Sequence, residues 1–176
     1  MKKLNLMAVL ALLSLIPSPA VLADVVGDWQ LSGLMRVDGI VKGKSITVQK
    51  KAYPALASFA SVDNIKSFNL SSPAFMLPGL WRANKTAFTG VPDAAAVRAL
   101  LAVIKNDVLA RSNLPLNLEA GTWTLTGKEI KVGKTTKISG TLTIKAKAFF
   151  QSYTTKSGGY YVGSVNISYV FNGVKV

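Results

Sequence analysis

The sequence contains no cysteine and no histidine. The first absence removes disulfides, thiol nucleophiles and cysteine-based metal sites. It also excludes anchoring through a lipidated N-terminal cysteine. The second removes Ser-His-Asp triads, Cys-His pairs and imidazole metal ligands. Acids are scarce, eight against 21 lysines and arginines in 176 residues, for a net charge of +13. General acid–base catalysis draws mostly on His, Asp and Glu, and glycoside hydrolysis needs two carboxylates flanking one cleft. Glycine-rich phosphate loops and helix–loop–helix calcium loops are missing too. The composition points away from an enzyme and implies neither cofactor nor metal.

What is present starts at the N-terminus. Met1-Lys2-Lys3 leads into an apolar stretch from Leu6 to Ile16, broken by Pro17, Ser18 and Pro19. Val21-Leu22-Ala23 then precedes Asp24. A charged start, a short apolar segment and small residues before a cut form a secretory signal. The stretch is too short for a bilayer, which needs about 20 residues. Residues 1–23 therefore read as a signal peptide cleaved after Ala23, and 24–176 as one domain that is periplasmic or secreted. Removing Lys2 and Lys3 leaves +11. Such a surface favours anionic partners, an anionic envelope surface among them.

The dominant period is two. Trp29, Leu31, Gly33, Met35 and Val37 alternate with polar residues, as do Ile138, Gly140, Leu142, Ile144, Ala146 and Ala148. The same holds for Tyr161, Gly163, Val165, Ile167, Tyr169 and Phe171. Alternation puts one apolar and one polar face on each strand, the pattern of an antiparallel sheet with one side on a core. Asp38-Gly39, Gly43, Gly133-Lys134 and Gly158-Gly159 supply turns. Less regular strands fall near 64–70, 74–82 and 85–90. Between Pro92 and Arg111 the period changes. Val97, Leu100, Leu101, Ile104 and Val108 make one helical stripe, with Asp93 placed at its start and Asn113 and Pro115 closing it. A faint repeat pairs Gly27-Asp28-Trp29-Gln30-Leu31-Ser32-Gly33 with Gly121-Thr122-Trp123-Thr124-Leu125-Thr126-Gly127.

These features predict a mainly β chain of about eight strands, an antiparallel meander closing into a barrel, with one amphipathic helix inserted mid-chain. The opening Gly27-Asp28-Trp29 resembles the Gly-x-Trp start of the lipocalin and calycin barrels. The resemblance implies a tryptophan closing the barrel floor beneath a basic side chain from a late strand. The triplet recurs as Gly79-Leu80-Trp81 and Gly121-Thr122-Trp123. One departure is plain: lipocalins carry their main helix after the last strand. The layout also resembles uncharacterised exported bacterial proteins with paired W-x-[LV]-[ST]-G strands.

An eight-stranded barrel holds side chains or one small ligand, which makes Trp29, Trp123, Tyr169 and Phe171 candidate lumen residues for a small apolar molecule. Lys137, Lys145 and Lys147 share the polar face of one strand, a candidate anion-binding wall. Few aromatics interleave with them, so a nucleic-acid platform is poorly supported. Three roles are compatible with this reading. The first is a non-enzymatic binding protein for an apolar or amphipathic molecule or an anionic envelope component. The others are a small outer-membrane barrel and a packed structural or interaction protein. The membrane reading draws on the aromatic-ended last strand, but Lys50 falls in phase with Ile46 and Val48, against an outward apolar band. The signal reading has a direct test: N-terminal sequencing of exported material should begin at Asp24, and retention of Met1 outside the cytoplasm would overturn it.

Overall fold

The computed structural model describes residues 25–41, 44–112, 116–151 and 160–176. The signal segment, the Gly43 and Gly158-Gly159 turns and the helix stop at Asn113 and Pro115 lie outside the described residues. The strands are β1 (Gly27–Val41), β2 (Lys44–Val62), β3 (Ile65–Ser72), β4 (Phe75–Asn84), β5 (Ala87–Pro92), β6 (Leu116–Val132), β7 (Thr135–Gln151) and β8 (Tyr160–Lys175). Each pairs antiparallel with the next, and β1 pairs with β8, so the sheet is a closed eight-stranded barrel. Closure leaves no free edge strand for pairing between molecules. The one helix, α1 (Ala94–Ser112), lies between β5 and β6.

The meander sorts the connections by end. The β2–β3, β4–β5 and β6–β7 turns gather at one end, the floor, with the start of β1 and the end of β8. The other end carries α1. Asp93 caps the helix, its Oδ1 accepting from the amides of Ala95 (2.8 Å) and Ala96 (3.1 Å). Its own amide donates to the Pro78 carbonyl (2.7 Å), tying the helix start to β4. The predicted stripe of Val97, Leu100, Leu101, Ile104 and Val108 is buried in the barrel core. Farther along, Gln49 of β2 donates to Asp107 (3.2 Å) and Lys105 to Asn117 of β6 (2.7 Å). The helix therefore spans the mouth left low by the short strands β3, β4 and β5.

One expected turn is corrected. Asp38-Gly39 does not end its strand; β1 runs to Val41, and the register shifts between Val37 and Asp38 because β2 carries one extra residue, Val48, opposite them. Asp38 instead anchors an outer cluster. It accepts from Arg36 Nε at 2.7 and 2.9 Å and from Thr47 at 2.7 Å. Burial pushes its carboxyl up, but these bonds and the Arg36 charge outweigh that and hold it below the usual value.

The lumen is filled by rings. Phe59 packs on Phe68, Trp81 and Phe88, with ring centroids 5.2–5.9 Å apart. Tyr169 stacks on Phe171 (5.7 Å) and meets Phe75 edge-on (5.6 Å). These separations are those of favourable aromatic pairs. Glycines on neighbouring strands make room: a Cβ at Gly33 would stand 2.3 Å from the Tyr169 ring. The Tyr169 hydroxyl donates to the Tyr53 carbonyl at 2.9 Å.

Burial pushes that hydroxyl up from 10.0 to about 12. A raised folded-state pKa contributes stability fully below the unfolded value, and the contribution is lost as pH rises through the folded one. Stability should therefore fall between pH 10.0 and about 12. Tyr169→Phe should flatten that fall while costing on the order of 1 kcal/mol at neutral pH for the lost hydrogen bond. Denaturant midpoints of both proteins across this range provide the check; identical alkaline declines would sink the assignment.

Candidate functional site

The tryptophans occupy different places. Trp29 is fully buried at the floor, and its Nε1 donates to the Val25 carbonyl (2.8 Å). Val25, two residues ahead of β1, is itself fully buried under the floor. Lys175, near the end of β8, lies over the Trp29 ring at 5.6 Å. Gly27 permits this. Its φ of 123° is disfavoured for other residues, and a Cβ there would stand 2.8 Å from Lys175 Cε. Trp123 sits half-buried on β6 near the helix start, its Nε1 donating to the Pro92 carbonyl (2.8 Å). Tyr169 and Phe171 belong to the ring stack. The four predicted lumen residues therefore do not converge on one place: three are fully or nearly fully buried among core side chains, and the fourth faces the helix start.

The three predicted anion-binding lysines do not converge either. All point outward and are exposed. Lys145 and Lys147 stand in the upper half of β7, paired across from Thr122 and Glu119. Lys137 is eight positions away, about 26 Å along the strand at about 3.3 Å per residue. It belongs to the floor, where it pairs across from Ile130 and Val174.

The floor also holds a feature with no counterpart in the sequence reading. The β3–β4 ladder ends at Ser67 and Leu80. Below that point Ile65 and Lys66 pair only with β2, and Trp81 to Asn84 only with β5. The strands part, and a crevice of about 650 Å³ opens, lined by Asn64, Ile65, Lys66, Leu80, Trp81, Arg82, Thr89 and Val91. Trp81 forms its back. The indole is 4% exposed, and its Nε1 crosses inside β3 to donate to the Ala60 carbonyl of β2 (3.2 Å). Lys66 Nζ lies 5.0 Å over the Trp81 ring. Ile65, Leu80 and Val91 are 60–63% exposed and form apolar walls. Arg82 is exposed beside them, and neither it nor Lys66 joins an ion pair among the described residues. Asp63, exposed in the adjoining turn, is the nearest acid in sequence. An outer groove of about 410 Å³ along Pro54, Leu56 and Ser71 has no charged lining. The floor crevice thus combines apolar walls with two cations, a pairing suited to an alkyl chain that ends in an acidic group.

The lysines at Trp29 and Trp81 could have been suspected from phase. Lys66 alternates with Phe68 and Leu70, and Lys175 with Phe171 and Gly173. Each is a cation on the inward face at a strand end, where a long stem can turn out to water.

No protein-family model and no curated protein matches this chain. Among solved structures it is similar to a multidomain protein including DUF1735 from Bacteroides ovatus, with a TM-score of 0.31 and 11% identity over 85% of this chain and 56% of that one. It is also similar to an auxiliary nutrient binding protein from Bacteroides thetaiotaomicron, with a TM-score of 0.32 and 9% identity over 85% of this chain and 46% of that one. The chain thus spans about half the length of each. Likenesses this shallow carry nothing about a ligand.

The floor geometry makes a ranking testable. Lys175→Ala removes one cation–π contact and should cost about 0.5–1 kcal/mol. Gly27→Ala adds backbone strain and displaces Lys175 as well, for a cost of about 1–3 kcal/mol. Denaturant midpoints read both. A neutral Gly27→Ala would show that the Lys175 cover does not depend on this glycine.

Proposed function

We propose that the chain is an exported, non-enzymatic binding protein that holds an amphipathic anion in the floor crevice between β3 and β4. One observation carries the reading: apolar walls and two cations that join no ion pair among the described residues converge on a 650 Å³ crevice backed by Trp81. The signal-like N-terminus supports export. The lack of histidine and cysteine and the shortage of acids support a binding role over a catalytic one. The ring-filled lumen favours a ligand held at the surface over one inside the barrel. Trp29 beneath Lys175 agrees with what the lipocalin resemblance implies for the floor; α1 between β5 and β6 departs from that family.

An outer-membrane barrel is disfavoured by its outer face. Such a barrel needs an apolar band on every strand. The outward positions of β6 and β7 include Thr122, Thr124, Thr126, Lys128, Lys137, Lys145 and Lys147, all exposed.

Titration with myristate below its aggregation concentration tests the reading. One equivalent should saturate the chain and quench tryptophan emission, and Trp81→Phe should abolish most of the quenching. Lys66→Gln with Arg82→Gln should weaken binding about tenfold, equivalent to about 1.4 kcal/mol. Myristyl alcohol should bind no more tightly to the native chain than to this double variant. Tight myristate binding that ignores the double substitution would overturn the site.

A further inference from the structure

The floor presents more than the crevice. Two of its three turns and the residue after β8 carry exposed apolar tips: Val62 (64%) and Ile65 (63%) at the β2–β3 turn, Val132 (54%) at the β6–β7 turn, and Val176 (82%). Around these tips stand Lys85, Lys128, Lys131, Lys134 and Lys137, all exposed, in addition to Lys66, Arg82 and Lys175. The acids at this end are Asp28, Asp63 and Glu129, and Glu129 is half-buried. The helix end differs. Its exposed cations, among them Lys50, Lys51, Arg98, Lys145 and Lys147, are interspersed with Asp38, Asp93, Asp107 and Glu119, and Lys105 and Asp107 are engaged in hydrogen bonds.

We infer that the floor docks end-on against an anionic lipid bilayer, with the turn tips entering the headgroup layer and the surrounding cations meeting lipid phosphates. Two features of the floor together select a bilayer over other anionic partners. Cations alone would suit any polyanion. Apolar residues at the tips of two separate turns and just past the end of β8, ringed by lysines, match a surface that is apolar a few ångströms below a layer of negative charge. Val25 and Trp29 are fully buried and Trp81 nearly so, closing the floor behind the tips, which rise from one packed base. The inference goes beyond the crevice reading and stands without it, since Val62, Val132 and the β6–β7 lysines do not line the crevice.

Co-sedimentation of the exported chain with vesicles tests it. Vesicles of phosphatidylglycerol and phosphatidylcholine in equal parts should retain the chain, with retention falling steeply as salt rises; phosphatidylcholine alone should not. Lys131→Gln, Lys134→Gln and Lys137→Gln together should reduce partitioning at least tenfold. Val62→Ser with Val132→Ser changes no charge and touches only exposed side chains, and should reduce it several-fold. Both variants should keep the myristate titration of the native chain, which separates failure at the bilayer from failure at the crevice. Loss with the lysine variant but none with the valine variant would mean adsorption by charge alone and would overturn the inference. Equal loss of dextran sulfate binding in the valine variant would point to a disturbed floor and would also count against it. Absence of vesicle binding at low salt would end it.

Discussion

The stack of Tyr169 on Phe171, set against glycines of neighbouring strands, is the constraint from which the rest follows. Closing eight strands fixes an interior of limited width. Something must fill it, because an empty lumen forfeits both transfer and dispersion energy. This chain fills it with rings and trims the facing positions to glycine, so that large and small side chains interlock around the wall. Each buried ring contributes roughly 1.5–3 kcal/mol relative to exposure. Tyr169 also brings a hydroxyl into the interior, and the Tyr53 carbonyl satisfies it. A lumen built this way is committed to stability, which leaves the ends and the outside as the surfaces open to a ligand.

The two ends are then treated differently because the strands differ in length. β1, β2, β6, β7 and β8 are each 15–19 residues long, whereas β3, β4 and β5 have 8, 10 and 6. At one end the tall strands leave a gap, and α1 fills it with an apolar stripe. At the other the stagger of β3 against β4 breaks the ladder before the strands stop. The crevice is a by-product of the same mismatch. Trp81 keeps it from becoming a leak into the core, since its indole seals the gap and bonds across to β2.

Much of this order was legible in the sequence. Period-two alternation marked the strands, and the change of period between Pro92 and Arg111 marked the helix, because both are set by backbone geometry local to the segment. Asp38-Gly39 misled, since an Asp-Gly pair suits a turn, yet here it stays in the strand opposite the extra residue Val48 of β2; Arg36, two residues back on the same strand, is a local partner, whereas Thr47 is a cross-strand partner that only the register reveals. The lysine wall misled for another reason. Sharing a face is a statement about angle, whereas binding needs proximity, and eight strand residues separate Lys137 from Lys145. The aromatic candidates showed the same gap: inward phase was correct for Trp29, Tyr169 and Phe171, but whether rings line a space or fill it depends on what stands opposite.

Trp81 shows what phase could and could not supply. Its Gly-x-Trp triplet was visible, and Lys66 was visible as a cation in an apolar register. Their meeting was not, because it depends on where the β3–β4 ladder ends. That ending is set by neighbours: β2 holds Ile65 and Lys66, β5 holds Trp81 to Asn84, and the closed circumference fixes how far apart those pairs stand. Lys66 then has little choice. An inward lysine at a strand end must bring its ammonium to water, and burying it unpaired would cost several kcal/mol. Lying over the Trp81 ring keeps the stem on apolar surface and the charge at the mouth of the crevice. Lys175 solves the same problem over Trp29. The charge at the floor is thus in part a consequence of how this barrel closes, since the rings that seal the end are the surfaces on which its lysines come to rest.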